Sequence, residues 1–214
     1  MAKVVASGDA QLVNDAVKAI SLNPLQTLAS EGYVEALRML CEAQIYDVDD
    51  LCSTTQTALC CALQEYPPQI ACAEFLIMHK ADVNHPGGEG SNCTALMKAS
   101  EQGDVESVAL LLKHRADPNL AHPELPHGLP LLFATHQDQY RLIALLVEAK
   151  ADPDREYIDF MSDKRPSRSN DGTALWIACR FGKFRAAFEL LKAGASTEKI
   201  NANGTSALYG TRSS

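Results

Sequence analysis

One pattern that recurs at regular spacing constrains this chain more than any other feature of its sequence. Residues 94–119, TALMKASEQGDVESVALLLKHRADPN, contain the pattern in its most regular form. A short apolar segment is followed by a break at Gly103, a longer apolar segment and a closing turn. Val105, Val108 and Leu111 recur at helical spacing, so the longer segment is predicted to form an amphipathic helix. Such a helix pair cannot bury its own apolar faces, and the pattern therefore predicts neighbours of the same kind.

The neighbours are found along almost the whole chain. A marker leucine recurs at intervals of 33 to 44 residues, at Leu25, Leu59, Leu96, Leu131, Leu175 and Leu208. A break follows seven residues after each of the first five markers, at Gly32, Tyr66, Gly103, Asp138 and Gly182. Four copies also close alike, with Lys80-Ala-Asp-Val-Asn, Arg115-Ala-Asp-Pro-Asn, Lys150-Ala-Asp-Pro-Asp and Gly194-Ala-Ser-Thr-Glu. The chain is therefore an array of related units.

These motifs resemble the ankyrin repeat, whose period is about 33 residues. The resemblance implies an all-α ankyrin-repeat solenoid of stacked helix-turn-helix units with hairpin-like loops. The sequence departs from the family where a His usually follows the marker leucine, because Gln26, Cys60, Met97, Leu132 and Trp176 stand there. This departure calls into question the hydrogen bonds that the His usually makes between repeats.

We expect a single domain over residues 1–214. A capping helix pair at the N-terminus covers 1–20, repeats follow at 21–55, 56–92, 93–127, 128–171 and 172–204, and a truncated or degenerate last repeat covers 205–214. Asn23, Thr94 and Asp104 are predicted helix N-caps. The last long helix carries Phe184, Phe188 and Leu191 in its apolar sequence.

The closing segments place basic residues where the family usually has Gly. Lys80, Arg115 and Lys150 are predicted to adopt a left-handed backbone, which costs up to about 1 kcal/mol for a residue other than Gly. A cation at the end of a helix recovers roughly 0.3–1 kcal/mol from the helix dipole. These three residues therefore have a structural explanation.

Composition excludes several classes of protein. No apolar run of 18 residues is present, so no membrane insertion is expected. The N-terminus lacks the apolar segment of a secretory signal, which predicts a cytoplasmic chain, with a nuclear location as the alternative. The net charge of −8 disfavours nucleic acid as a partner. The seven scattered cysteines are interpreted as small core residues in a reducing compartment.

No motif for catalysis is present. The sequence contains no GxSxG, HExxH, GxxxxGK[ST] or GxGxxG, and its six histidines are dispersed. We therefore expect no enzyme, no catalytic residue, no cofactor and no metal site.

The resemblance implies that the chain binds another protein or a peptide on a concave face and at loop tips. The corresponding late positions of the short helices are Ser30 and Glu31, Gln64 and Glu65, Glu101 and Gln102, His136 and Gln137, and Arg180 and Phe181. Met97 is a further candidate within residues 94–119. The isolated domain is expected to be monomeric.

Two other features leave alternatives open. The loop at 155–170 exceeds the period and carries Tyr157 and Phe160, followed by basic residues. It is either a surface insertion that folds onto the stack or a finger that contacts a partner. Trp176, the only Trp, either packs between repeats or serves as an exposed anchor beside Phe181.

The function predicted from these observations is a non-catalytic scaffold or adaptor for protein–protein interaction. The alternative is the regulatory or substrate-recruiting ankyrin domain of a larger enzyme or channel. The alternative is suggested by a sequence that ends at Ser214, within a further unit.

Overall fold

The computed structural model describes residues 5–19, 24–51, 55–64, 66–88, 94–120, 129–156, 172–200, 204 and 206–207. These residues contain eleven α-helices: α1 (Ala10–Lys18), α2 (Pro24–Ser30), α3 (Val34–Glu42), α4 (Ala58–Gln64), α5 (Ile70–Met78), α6 (Ala95–Gln102), α7 (Val105–Lys113), α8 (Pro130–His136), α9 (Tyr140–Glu148), α10 (Ala174–Arg180) and α11 (Phe184–Lys192). Within them, no helix is long and apolar enough to cross a membrane. The predicted all-α class is confirmed.

The helices alternate between a short first helix and a longer second helix. First helices have seven or eight residues, as in α2 and α6, and second helices have nine, as in α3 and α7. Each predicted repeat from 21–55 to 172–204 contains one such pair. Of the helix pair expected at 1–20, α1 is described, and residues 1–4 and 20 lie outside the described residues.

The first helices begin at buried threonines or at prolines. The hydroxyls of Thr57, Thr94 and Thr173 accept hydrogen bonds from the backbone N–H three residues later, at 3.2, 3.2 and 3.3 Å. Each hydroxyl satisfies a backbone donor that the helix itself leaves unpaired, which confirms Thr94 as a cap. Pro24 and Pro130 begin their helices, where a missing N–H costs nothing. Asn23, the other predicted cap of a first helix, lies outside the described residues.

The turns before and after the second helices require left-handed backbone. Gly103, at the break between α6 and α7, has φ +78°, and Asp138 takes the same role with φ +57°. The closing residues Lys80, Arg115 and Lys150 have φ +69°, +66° and +68°, as predicted. Asp104 accepts a hydrogen bond from the Glu106 N–H at 3.2 Å and caps α7, which was also predicted.

The chain divides into two compact units. The first comprises Met1–Ala99 with Lys113–Ala116, and the second comprises Ser100–Leu112 with Asp117–Ser214. In the first unit, α2 packs against α3 and α4, and α5 packs against α3 and α4. Its core is built mainly from leucines that are at most 1% exposed: Leu25, Leu28, Leu37, Leu40, Leu59, Leu63 and Leu76.

In the second unit, α8 packs against α9 and α10, and α11 packs against α9 and α10. Leu142, Ile143 and Leu146 of α9 are completely buried. On α11 the completely buried residues are Ala186 and Leu190. The inward side of α11 is therefore made of small and aliphatic side chains.

Side chains of the closing segments tie successive repeats together. Asn119 donates to the Lys150 carbonyl at 2.8 Å and accepts from the Asp152 N–H at 2.7 Å. Asp154 accepts from the Ser196 N–H of the following repeat at 2.7 Å. In the first unit, the Asp49 carboxylate accepts from the Asp82 N–H at 3.0 Å, which extends the same arrangement to an irregular closing segment.

Gln26 takes over a hydrogen-bonding role at the position where the family usually has His. It is only 3% exposed, and its Nε2 donates to the Asp50 carbonyl at 2.5 Å. Although Gln replaces the usual His in this repeat, the position still forms a buried hydrogen bond.

Candidate functional site

The late positions of the first helices form an exposed set in the second compact unit. Glu101 and Gln102 end α6, while His136 and Arg180 end α8 and α10. Gln137 and Phe181 follow directly as the C-terminal caps of α8 and α10. All six side chains are exposed, and they are called the first-helix row below: Glu101, Gln102, His136, Gln137, Arg180 and Phe181.

Contacts join the members of the row from one repeat to the next. The Gln137 side chain donates from Nε2 to the Glu101 carbonyl at 2.5 Å, and its Oε1 accepts from Gln139 at 2.6 Å. The rings of His136 and Phe181 lie 5.7 Å apart between centroids, tilted by 42°. The three pairs are therefore neighbours on one continuous surface.

The chemistry of the row changes along its length. Glu101 supplies a carboxylate at one end, His136 and Gln137 supply polar groups in the middle, and Arg180 supplies a cation beside Phe181 at the other. Phe181 is 46% exposed, although it contacts His136. Aromatic residues and Arg are both enriched in protein interfaces relative to the rest of the surface.

Two candidate contact residues are buried: the prediction that Met97 faces a partner was wrong, and so was the exposed-anchor alternative for Trp176. Met97 is completely buried, and its sulfur lies 3.5 Å from the Thr94 nitrogen. Trp176 is 3% exposed, and its indole packs so closely on Gly172 that a Cβ there would lie 3.1 Å from the ring. Both follow the marker leucine near the start of a first helix, where the side chain points into the core. Trp176 is therefore a buried residue and not an exposed anchor.

The other candidates lie in the first unit or outside the described residues. Gln64 and Ser30 are half-buried, whereas Glu31 is exposed. Glu65, Tyr157 and Phe160 lie outside the described residues, as does most of the 155–170 loop. The finger interpretation of that loop therefore stays a prediction.

Sequence reasoning missed an exposed aromatic residue in the first unit. Tyr66 is 96% exposed and lines a groove of about 320 Å³ with Pro67, Gln69, Ser30 and Glu31. The sequence feature that could have revealed it is the position of Tyr66 at a break between helices, where other repeats have Gly or Asp. The groove adjoins the late positions of α2.

A second omission concerns α11. Phe184, Phe188 and Leu191 were counted only as part of its apolar sequence, yet they are 83%, 66% and 48% exposed. The helix has apolar residues on two sides, and periodicity alone does not tell which of them faces the core.

Burial affects the thiols of the described cysteines. Five cysteines in the described part of the chain are thiols outside any disulfide: Cys41, Cys60, Cys61, Cys72 and Cys179. Burial raises the pKa of the Cys41 and Cys72 thiols to about 11 and also raises the pKa of Cys60 and Cys179. Among the described residues, no three His, Cys, Asp or Glu side chains are grouped as metal ligands would be.

Comparisons with known proteins agree with this architecture. Residues 91–123 match the family model of the ankyrin repeat. No curated protein matches the sequence significantly. The chain is similar to the crystal structure of an ankyrin repeat domain from Acinetobacter baumannii AYE, with 23% identity, a TM-score of 0.72, and coverage of 88% of this chain and 90% of that chain.

Two further solved structures are similar. The ankyrin repeat domain of Bcl-3, a member of the IkappaB protein family, has 22% identity and a TM-score of 0.74, and the match covers 98% of this chain and 92% of that chain. The human ASB11 ankyrin repeat domain has 22% identity and a TM-score of 0.58, with coverage of 89% and 92%.

At these identities, the structural likeness establishes the fold, and the family match establishes the repeat at 91–123. The ankyrin-repeat fold is generally a non-catalytic module for protein–protein interaction, whose stacked repeats provide extended binding surfaces. The recurring motifs, the paired helices and these matches together show an ankyrin-repeat fold, with a match to the ankyrin repeat family at residues 91–123.

Proposed function

We propose that this chain is a non-catalytic scaffold that binds a partner protein or peptide through the first-helix row. The observation that carries the proposal is the continuity of six exposed side chains across three repeats, joined by the Gln137–Glu101 hydrogen bond and the His136–Phe181 ring contact. These groups come from helix ends that the repeats position independently of any ligand. A preformed row of this kind costs little ordering entropy on binding.

The chemistry of the row indicates the kind of partner. An extended peptide with a basic group near Glu101 and an acidic or aromatic group near Arg180 and Phe181 complements both ends. Aromatic and Arg side chains contribute most of the binding energy in typical interfaces, so the Arg180–Phe181 end is expected to dominate affinity. The charge at Glu101 is expected to affect specificity and association rate more than affinity.

Site-specific photocrosslinking tests this proposal. A photoreactive amino acid is placed at Phe181 in one variant and at Met78, which is 77% exposed in the other unit, in a control variant. Incubation with cell extract followed by irradiation is expected to yield defined adducts from the Phe181 position only. The adducts should decrease at least about tenfold when Arg180→Glu is added, because the anchor loses its cation.

Folding of each variant is checked by circular dichroism and thermal unfolding. Identical adduct patterns from both positions, or adducts that persist unchanged with Arg180→Glu, would contradict a partner site at the first-helix row.

A further inference from the structure

The outward side of α11 differs from the corresponding side of α9, the second helix of the preceding repeat. Its first and eighth residues are Phe184 and Leu191, which are 83% and 48% exposed. In α9 the corresponding residues, Tyr140 and Val147, are half-buried. Phe188, between them on the same stripe, is 66% exposed. Three large apolar side chains at i, i+4 and i+7 therefore form one stripe along a helix.

The opposite side of α11 is occupied by its packing against α9. α11 packs against α9, and its Arg185 guanidinium lies 5.5 Å from the centroid of the Tyr140 ring. Ala186 and Leu190, on the inward side of α11, are completely buried. The side of α11 that faces the core therefore carries small and aliphatic side chains, whereas the stripe lies on another side of the helix.

A groove adjoins the stripe. It has a volume of about 410 Å³ and is lined by Tyr140, Phe184, Arg185, Phe188 and Glu189. Aromatic rings supply most of its apolar wall, so it suits one large apolar side chain. We call the stripe and the groove the α11 patch, which comprises these five residues and Leu191.

The charges around the α11 patch are mainly basic, in a chain whose net charge is −8. Arg141 and Arg185 lie 5.8 and 5.5 Å from the Tyr140 ring centroid, and both side chains are exposed. Lys192 has a side chain that is 68% exposed. Its ion-pair partner Glu189, at 3.4 Å, is only 16% exposed. The field at the patch therefore favours carboxylates.

We propose that the α11 patch binds an amphipathic helix of a partner protein that carries acidic residues beside its apolar face. One large apolar side chain of that helix fills the groove, its remaining apolar residues cover Phe188 and Leu191, and its carboxylates pair with Arg141 and Arg185. A second copy of this chain fits less well, since it would bring the same cations together. The patch lies on second helices and is independent of the first-helix row.

Synthetic helical peptides test the proposal. One peptide carries Leu at i, i+4 and i+7 with Glu on both flanks, and its matched control has Lys in place of each Glu. Fluorescence anisotropy with the full chain is expected to show saturable binding of the acidic peptide and at least about tenfold weaker binding of the basic peptide. The affinity for the acidic peptide should fall as salt concentration rises.

Variants of the chain test whether the acidic peptide binds at the α11 patch. Phe184→Ser with Phe188→Ser is expected to weaken binding of the acidic peptide at least about tenfold, because two exposed aromatic anchors are removed. Met78→Ser, which removes an exposed apolar side chain elsewhere, should leave it unchanged. Circular dichroism confirms folding in each case, and Arg141→Gln with Arg185→Gln should reduce the salt dependence.

Equal binding of both peptides, no binding of the acidic peptide, or unchanged binding by the Phe184→Ser, Phe188→Ser variant would overturn the proposal. Sedimentation velocity tests whether a second copy of this chain binds the α11 patch. A dimer that dissociates when Phe188→Ser is introduced would show that the patch binds another copy and not a partner helix.

Discussion

At the scale of single residues, Asn119 shows how one side chain joins two repeats. The NH2 group of its side-chain amide donates to the Lys150 carbonyl, and the amide oxygen accepts from the Asp152 N–H. Both polar groups of the side chain are therefore hydrogen-bonded. The closing Asn was visible in the sequence as part of a recurring motif. Its partners, about 30 residues further along, could be identified only from the folded chain.

Asn119→Ala is expected to destabilise the protein by about 1–3 kcal/mol, because two hydrogen bonds of about 0.5–1.5 kcal/mol each are lost. Asn119→Asp retains the acceptor for Asp152 and loses the donor to Lys150, so its cost should be intermediate. Urea unfolding followed by circular dichroism measures both differences. Unfolding midpoints equal to that of the wild type for both variants would contradict the assigned role.

Met97 and Trp176 show where residue-level prediction fails. Both stand where the ankyrin family usually has His. Met97 was interpreted as a contact for a partner, and for Trp176 such a contact was one of two alternatives. The structure buries both. A sequence does not state which direction a helical position faces once neighbouring helices are packed, because that direction depends on residues from other repeats.

At the scale of helices, α11 receives a cap from another repeat. Lys183, its N-cap residue, makes no capping hydrogen bond with its side chain. Instead, Asp138 accepts from the Ala186 N–H in the first turn at 2.8 Å. Asp138 also has φ +57° at the break between α8 and α9. One residue therefore serves both as a turn in its own repeat and as a cap in the next.

Asp138→Gly is expected to cost about 0.5–2 kcal/mol, because the cap of α11 is lost while the left-handed turn is retained. Asp138→Asn keeps an acceptor and tolerates the turn, so it should cost less than Asp138→Gly. Hydrogen exchange at the Ala186 amide, together with urea unfolding, separates loss of the cap from a general effect. Unchanged protection of Ala186 in Asp138→Gly would show that the carboxylate does not cap α11.

The two sides of α11 illustrate a limit of periodicity at this scale. Ala186 and Leu190 face the core, whereas Phe184 and Phe188 face outward. Hydrophobicity alone predicts that the larger aromatic residues face the core. Packing against α9 and α10 instead selects the small side chains, because closely approaching helices leave little room at that position.

At the scale of the whole molecule, burial of thiols adds a pH-dependent property. The pKa of Cys41 and Cys72 is raised to about 11, so less thiolate is present at a given pH. Below the ordinary pKa near 9, both folded and unfolded chains hold neutral thiols, and the full stability is retained. Between pH 9 and 11 the unfolded state loses thiol protons first, so folding stability falls as pH rises.

Alkylation with iodoacetamide tests this property. In the folded protein, the rates at Cys41 and Cys72 should rise about tenfold per pH unit from pH 7 to 10, without a plateau near 9, since the thiolate is the reactive form. In guanidinium both should react rapidly. Peptide mass spectrometry quantifies each thiol, and circular dichroism confirms that the protein remains folded. A plateau near pH 9 at both cysteines would contradict the raised pKa.

The sequence by itself determined what depends on local chain chemistry. The spacing of the marker leucines, the break residues and the closing motifs defined helix pairs and an ankyrin-like array, and Thr94 and Asp104 were identified as caps. These features are readable because turns, caps and left-handed positions depend on a few adjacent residues, whose backbone requirements are the same in every repeat.

Only the tertiary structure decided which side chains remain at the surface and which join one repeat to another. It buried Met97 and Trp176, exposed Phe184 and Phe188, and brought His136 to Phe181 and Asp138 to α11. Each of these outcomes depends on groups that are distant in sequence. Burial and contact arise from the packing of several helices at once, and no single segment of the chain contains that information.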